Sequence, residues 1–296
     1  LVDADVPNTI TLDNLTQITT RAISDTTGTL AVSRGGTGLV NFSPVGTSRI
    51  SRIGTGEIQL GLGMIPLQVS GTWVTRLVTV AVSISNAGLV ANTNYYVYAF
   101  DSAGTTTLEL STTGRATDST MGVEIKSADA TRTLVGLIRT EGSTPGQFVD
   151  TLARRFVINW FNRRPIGLQA LWGANQTTTS DALVELNTAT RAEFLTWGQS
   201  AVFGFAHARM YTSTAGNRAW LNISLDTTTY APHRSLIATP TAGYETLGYS
   251  PYMEVPSEGY HYFGAYGAAP DAGADTATFI GSASADGGLG GILYDY

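Results

Sequence analysis

Cysteine is absent from the 296 residues, and lysine nearly so, with Lys126 alone beside 16 arginines. No disulfide and no thiolate metal site can form, and the redox compartment stays open. Charged residues reach only 14%, against roughly 25% in ordinary soluble domains. The formal charge of −6 argues against a nucleic-acid partner, because such affinity comes largely from clustered Lys and Arg. Arg154–Arg155 and the pair Arg163 and Arg164 are the only basic clusters. No apolar run approaches the ~20 residues of a membrane span; the longest, at 77–82, is broken by Thr79. Neither nucleic-acid binding nor membrane insertion is expected.

Aromatics are missing from the opening. Phe42 is the only one before Trp73, and the remainder holds all five Trp, all 13 Tyr and the other nine Phe. Aromatics supply much of the buried area of a globular core, so a leader poor in core-building material precedes a well-stocked folded part. Leu1 is neither an initiator Met nor a signal-like start. Either an upstream segment was removed or the chain belongs to a longer polypeptide.

What fills the gap is Thr, 43 of them, with 33 Gly. Thr is β-branched and favours strands. Residues 1–65 carry short apolar spots at Ile10, Leu12, Leu15 and Ile18, whose spacing sustains neither a helix nor a long strand. Gly-rich turns at 35–38 and 54–56 punctuate the segment. A stretch of this composition is too small and too polar to fold alone. It is disordered, docked on a partner, or interwound with copies of itself, and the recurrent Val, Ile and Leu favour the last two.

Residues 66–142 are expected to form one β-sandwich-like domain. Val78, Val80, Val82 and Ile84 alternate with Thr79, Ala81 and Ser83 as in a half-buried strand. Segments 95–100 and 105–110 flank Asp101-Ser102-Ala103-Gly104, a loop of hairpin composition. Short strands follow at 123–126 and 133–139. A connector at 143–149 leads to a second β-rich domain, the domain as a whole spanning 143–296. There Phe156, Ile158 and Trp160 share one strand face, with Val157 and Asn159 on the other. Strands at 201–211 and 218–225 bracket a hairpin candidate at 212–217. A helix is arguable only at 181–197, where Asn187-Thr188-Ala189-Thr190 favours two strands and a turn. The Gly run 287–291 is expected to be a flexible turn before a last strand at 292–294. The fold class is therefore all-β: an extended or interwound stalk or anchor, then two antiparallel sandwich-like domains.

No catalytic signature stands out. His207, His233 and His261 have no metal-ligand spacing, and no Gly-x-Ser-x-Gly elbow or phosphate loop is present. His207 is expected to be a hydrogen-bonded strand histidine. A glycosidase would need two carboxyls about 5–10 Å apart; Glu254 with Glu258, and Asp271 with Asp275, are the pairs to test, and loop carboxylates of this kind are usually solvated. No cofactor or metal is expected, and no enzymatic activity.

The stretch NTNYYVYAFDSAGTTTLELSTTGRATDSTMGVEIKSADATRTLVGLIRT, ending at Thr140, looks like a module found near the C-terminal ends of tail-fibre and related virion proteins of bacteriophages and prophages. RRFVINWFNRRP at 154–165 resembles the same family, and DADVPNTITLDN at 3–14 and GTLAVSRGGTG at 28–38 are similar to the partner-facing parts of phage fibres. The resemblance covers most of 1–165. It implies a structural virion component, usually a homotrimer, held to other virion proteins by residues 1–65, with Ile10, Leu12, Leu15 and Ile18 as attachment candidates. The displayed domains would then adhere to a bacterial surface glycan or receptor, on the tail or from the capsid. The alternatives are a capsid-attached head fibre or decoration protein, and a glycan-hydrolysing tailspike. Candidate receptor contacts are Tyr244, Tyr249, Tyr252, Tyr260, His261 and Tyr262, because clustered Tyr offers flat apolar faces with hydroxyls; packing within a sheet or a subunit interface is the competing explanation for them.

Overall fold

The computed structural model describes residues 46–143, 145–226, 229–230, 235–271, 275–282 and 287–294. Ile10, Leu12, Leu15 and Ile18 lie outside the described residues, as does His233. Among the described residues the fold is all-β, and the one helical piece is a 3-10 turn at Thr188–Thr190.

The first part comprises β1 (Ile50–Gly54), β2 (Glu57–Leu60), β3 (Gly63–Val69), β4 (Thr72–Val78) and β5 (Val82–Ser85). It continues with β6 (Asn94–Ser102), β7 (Thr105–Ser111), β8 (Arg115–Thr117), β9 (Glu124–Lys126) and β10 (Asp129–Glu141). β11 (Gln147–Phe148), β12 (Arg154–Arg155) and β13 (Val157–Asn159) lead into the second part. That part holds β14 (Ile166–Leu171), β15 (Gln176–Thr178), β16 (Val184–Glu185), β17 (Ala192–Trp197), β18 (Ala201–Thr212) and β19 (Arg218–Leu225). It ends with β20 (Thr229–Tyr230), β21 (Ser235–Ala238), β22 (Thr246–Glu254), β23 (Glu258–Ala268), β24 (Ala277–Phe279) and β25 (Gly287–Tyr294).

These strands stack in four layers. The outermost is the small sheet β1-β2-β5 with the hairpin β3-β4. It covers one face of a central sheet, β7-β6-β10-β9-β8, to which β11 and β13 add through β10. Alternation along β6 explains the division: Tyr95, Val97 and Ala99 pack with Ile58, Leu60, Ile65 and Leu67, whereas Tyr96 and Tyr98 point the other way. A bulge between Leu134 and Gly136 resets the alternation of β10, so Val135 and Ile138 join the first core and Leu134 and Leu137 the second. Glycine is required at 136, because a Cβ there would lie 2.7 Å from the Ile158 carbonyl oxygen.

The third and fourth layers form a sandwich of two mainly antiparallel sheets. One runs β12-β17-β23-β19-β20, with β16 extending the β17 edge of β23 and β21 beside β19. The other is ordered β14-β25-β18-β24-β15, with β22 on the free edge of β18. Between them Phe194 and Phe263 face the small residues Gly204, Ala206 and Ala208. A Cβ on Gly204 would meet the Phe263 ring at 2.6 Å, so large rings on one sheet interdigitate with small residues on the other.

Several boundaries differ from those read off the sequence. Residues 50–65 form strands whose Ile58, Leu60 and Ile65 are fully buried, so position 65 falls inside β3 and not at the end of a stalk. The 143–149 connector contains β11, and β13 pairs with β10, so strands beyond 143 complete the first part's sheet. The run 78–84 is broken at 79–81, and Val80 is 75% exposed. Strands β18 and β19 belong to opposite sheets, so 212–217 is an arch between layers and not a hairpin. Gly287 to Gly291 is strand throughout, β25, between β14 and β18. Other expectations match: Ala103 and Gly104, both at positive φ (51° and 88°), close the β6–β7 hairpin with Ser102 opposite Thr105. The stretch 181–197 is strand, 3-10 turn and strand, although both strands lie along β23 and not against each other.

Candidate functional site

Two surfaces hold chemistry that packing alone does not use. The first is the seam between the central sheet and the β17-β23 sheet. Ile158 and Trp160 of the first part pack against Leu195 and Trp197 of the second, with the Trp160 and Trp197 rings edge to face at 5.1 Å. Trp197 Nε1 donates to the Asn159 carbonyl (3.0 Å), while the Asn159 side chain brackets Ile50, accepting from its N–H (2.6 Å) and donating to its C=O (3.2 Å). Tyr96 donates to Glu258 (2.6 Å), and Arg115 bridges Glu258 and Glu124. Burial pushes the Tyr96 phenol up to about 12, with Glu258 adding to the effect.

Where the seam opens to solvent, Asn92, Arg139, Glu141 and Gly142 face Arg154, Phe156, Glu193 and Tyr260 across a cavity of about 400 Å³. Arg154 ties Glu193 (2.9 Å) to Glu141 (3.0 Å), and Tyr260 donates to Glu193 (2.5 Å). The Arg139 guanidinium lies 4.0 Å from the Tyr260 ring centroid and donates to Asn94 Oδ1 (3.0 Å). Burial pulls its pKa down, opposed only in part by Tyr260 and Glu193. A second hollow of about 460 Å³ shares Glu141 and Arg154 with the first and adds Arg52 and Arg191.

The second surface is the outward face of the β18 sheet. Side by side stand Phe203, Met253 and Ile292, then Phe205 with Pro251, then His207 with Tyr249, then Arg209 with Leu247. Phe205 lies 5.4 Å from Tyr249 and 5.7 Å from His207. Phe205 rests across Gly290, where a Cβ would come within 2.5 Å of the ring. Gly290 of β25 thus leaves room for the Phe205 ring. Leu247 and Met253 are each 66% exposed and Tyr249 47%. His207 carries a buried Nδ1 with no partner among the described residues, and burial lowers its pKa; the expected hydrogen bond is not there.

The six residues proposed as receptor contacts do not form one surface. Tyr244 and Tyr249 are exposed on the β22 side. Tyr252 is 8% exposed in the sandwich core, edge to face with Phe263, its hydroxyl on Glu254. Tyr260 sits in the seam, and Tyr262 lies under Arg191, which is 3.9 Å from its ring centroid. His261 is buried, with Nδ1 on Asp226 (2.5 Å) and Nε2 on the Ser257 carbonyl oxygen (2.9 Å), so neither nitrogen is free to activate a hydroxyl. Its pKa is raised: burial acts downward, but the Asp226 hydrogen bond and charge outweigh it.

The carboxylates tested for hydrolysis are all engaged. Glu258 is held by Tyr96 and Arg115, and Glu254 by Tyr252. Asp271 pairs with Arg218 (2.5 Å), and Asp275 accepts from Ser213 Oγ (2.7 Å) and the Thr214 N–H (3.1 Å). In the basic clusters Arg155 faces Asp150 at 3.6 Å and Arg163 stacks on Trp160 at 4.2 Å.

Sequence reasoning missed Arg139, Glu141 and Glu193. The signal was there: in a chain so poor in charge, Arg139 and Glu141 stand two apart on one strand face. Phe203 and Phe205 were missed because an aromatic row in a strand is ordinarily assigned to the inside.

No family model matches the chain, and no curated protein matches it. Solved structures similar to it include the Eiger TNF of S. frugiperda, 11% identical over 45% of this chain and 93% of that one, with a TM-score of 0.30. The VP2 subviral particle of infectious bursal disease virus is 12% identical over 91% and 80%, with a TM-score of 0.28. The insecticidal delta-endotoxin Cry8Ea1 of Bacillus thuringiensis is 6% identical over 84% and 51%, with a TM-score of 0.27. At these TM-scores the likeness carries no argument about this chain.

Proposed function

We propose that the chain is a structural virion fibre subunit of a bacteriophage or prophage, a homotrimer anchored through its N-terminal part and adhering to bacterial surface glycan. The resemblance of the segment ending at Thr140 supports the virion assignment. The observation that carries self-assembly is the bare apolar face of the β18 sheet. Leu247, Tyr249, Met253 and Ile292, with the partly exposed Phe203 and Phe205, leave an apolar patch on the order of 500 Å², near the upper end of what monomers tolerate. A specific interface buries roughly 800 Å² per partner, so polar residues around the patch would join the contact.

At its edge Arg209 pairs with Glu245 at 2.7 Å, and the apolar rows beside it call for an apolar partner surface. Three copies of this face converging on a threefold axis, each presenting one flank of it to the next, satisfy that requirement. Several heads on one stalk then bind together, and effective concentration raises avidity without tight single sites.

Light scattering on the purified chain tests this. A trimer mass is expected, with Phe205→Arg and Tyr249→Glu each giving monomers of unchanged circular dichroism. A wild-type monomer at micromolar concentration overturns the assembly. Imaging particles labelled at residue 296 tests the virion assignment and separates tail from capsid attachment.

A further inference from the structure

We propose that the seam groove around Arg139 binds an acidic saccharide, through a carboxylate of a uronic-acid type. This rests on the adhesion reading and names where and what the chain would bind. The two hollows, about 400 and 460 Å³, lie on either side of the Glu141–Arg154 pair that lines both, so a short oligosaccharide could engage both. Arg52, Arg139, Arg154 and Arg191 line it against Glu141 and Glu193. Counting Glu185, which grips Arg191 with two bonds of 2.7 Å, guanidinium groups still outnumber carboxylates, in a chain of net charge −6.

Arg139 is the decisive group. Its cation is half-buried, one nitrogen is committed to Asn94, and no carboxylate forms an ion pair with it among the described residues. Its Nε and Nη2 make no hydrogen bond to a described residue, and the side chain lines the cavity. The edge they form is the one that grips a carboxylate with two parallel bonds. Glu193 acts on this half-buried guanidinium only from a distance, being bonded to Arg154 and Tyr260, so an anion in the cavity would complete it.

The surroundings select the kind of anion. Glu141 and Glu193 repel a doubly charged phosphate, but they accept hydrogen bonds from hydroxyls. A monoanionic ring rich in hydroxyls meets both demands, and Asn92 at the rim adds an amide. Seams between folded layers are also where ligand clefts commonly lie.

Titration calorimetry with tetragalacturonate, against neutral maltotetraose, tests the site. Binding of the uronate alone is expected, weakening as salt rises. Arg139→Gln should weaken it at least tenfold, and Arg139→Lys, which keeps the charge without the fork, by less. Should Arg139→Gln lose its fold, Asn92→Asp, an exposed change at positive φ, brings a repelling charge to the rim and should weaken uronate binding several-fold. Equal affinity for the two sugars, or an unaltered affinity in folded Arg139→Gln or Asn92→Asp, overturns the proposal. Adhesion of the wild-type chain to host cells distinguishes the failures: adhesion with no uronate binding leaves the adhesin and removes this groove, while uronate binding with no adhesion does the reverse.

Discussion

Single residues in this protein are held by polar contacts to residues distant in sequence, and His261 illustrates the consequence. Asp226 Oδ2 sits 2.5 Å from Nδ1, and Glu254 adds to the field. Because the folded pKa lies above the unfolded one, the folded state holds the proton more tightly. The stabilisation is fully present below the ordinary imidazole value of about 6.5 and is lost as pH rises through the raised folded value. Asp226→Asn should therefore lower the melting temperature by several degrees at pH 5.5 and by much less at pH 8.5. Thermal melts at the two pH values check this, and equal losses would refute it. Asn159 is a residue of another kind: buried, it satisfies both backbone groups of Ile50 from 109 positions away. Such pairings are invisible to sequence spacing because nothing local marks them.

At the scale of elements, strand assignment followed from composition while strand partnership did not. The β6–β7 hairpin was legible because Ala103-Gly104 at positive φ imposes one local turn geometry. The segment 212–217 has hairpin composition too, yet β18 and β19 go to opposite sheets, because each buries a row of small or apolar residues against the other across the core. The glycines of β25 looked like a turn since Gly permits one. In the fold they serve close approach, with Phe205 lying over Gly290. Gly290→Val should force the Phe205 ring up, cost about 1–3 kcal/mol, and loosen self-association. Chemical denaturation and light scattering on the same variant measure the two effects, and an unchanged oligomer would show that the ring platform is not the contact.

For the whole molecule, the seam makes the two β parts interdependent. Tyr98, Leu134, Leu137 and Ile158 belong to the same core as Leu195 and Trp197, and β13 completes a sheet begun by β6 and β10. One cooperative melting transition is expected for residues 46–296, and Trp197→Ala should lower the stability of both parts together by about 3–5 kcal/mol. Calorimetry resolves the matter: two separated transitions, with only one displaced by the substitution, would show independent domains. By the same reasoning a fragment starting at 143 exposes Leu195 and Trp197 and loses the partner of β13.

The chain's own composition determined the class of structure: Thr and Gly in abundance, alternating apolar residues and the lack of helix-length periodicity leave only strands. It also located most strands, since a strand's pattern is written within five to ten neighbours. The tertiary structure alone decided which face of β18 is bare, that Arg139 forms no ion pair with a carboxylate among the described residues, and that residues on either side of position 143 share one core. The physical reason is common to all three. Burial and charge pairing are set by residues distant in sequence, and a two-residue period names two faces without saying which of them meets another layer.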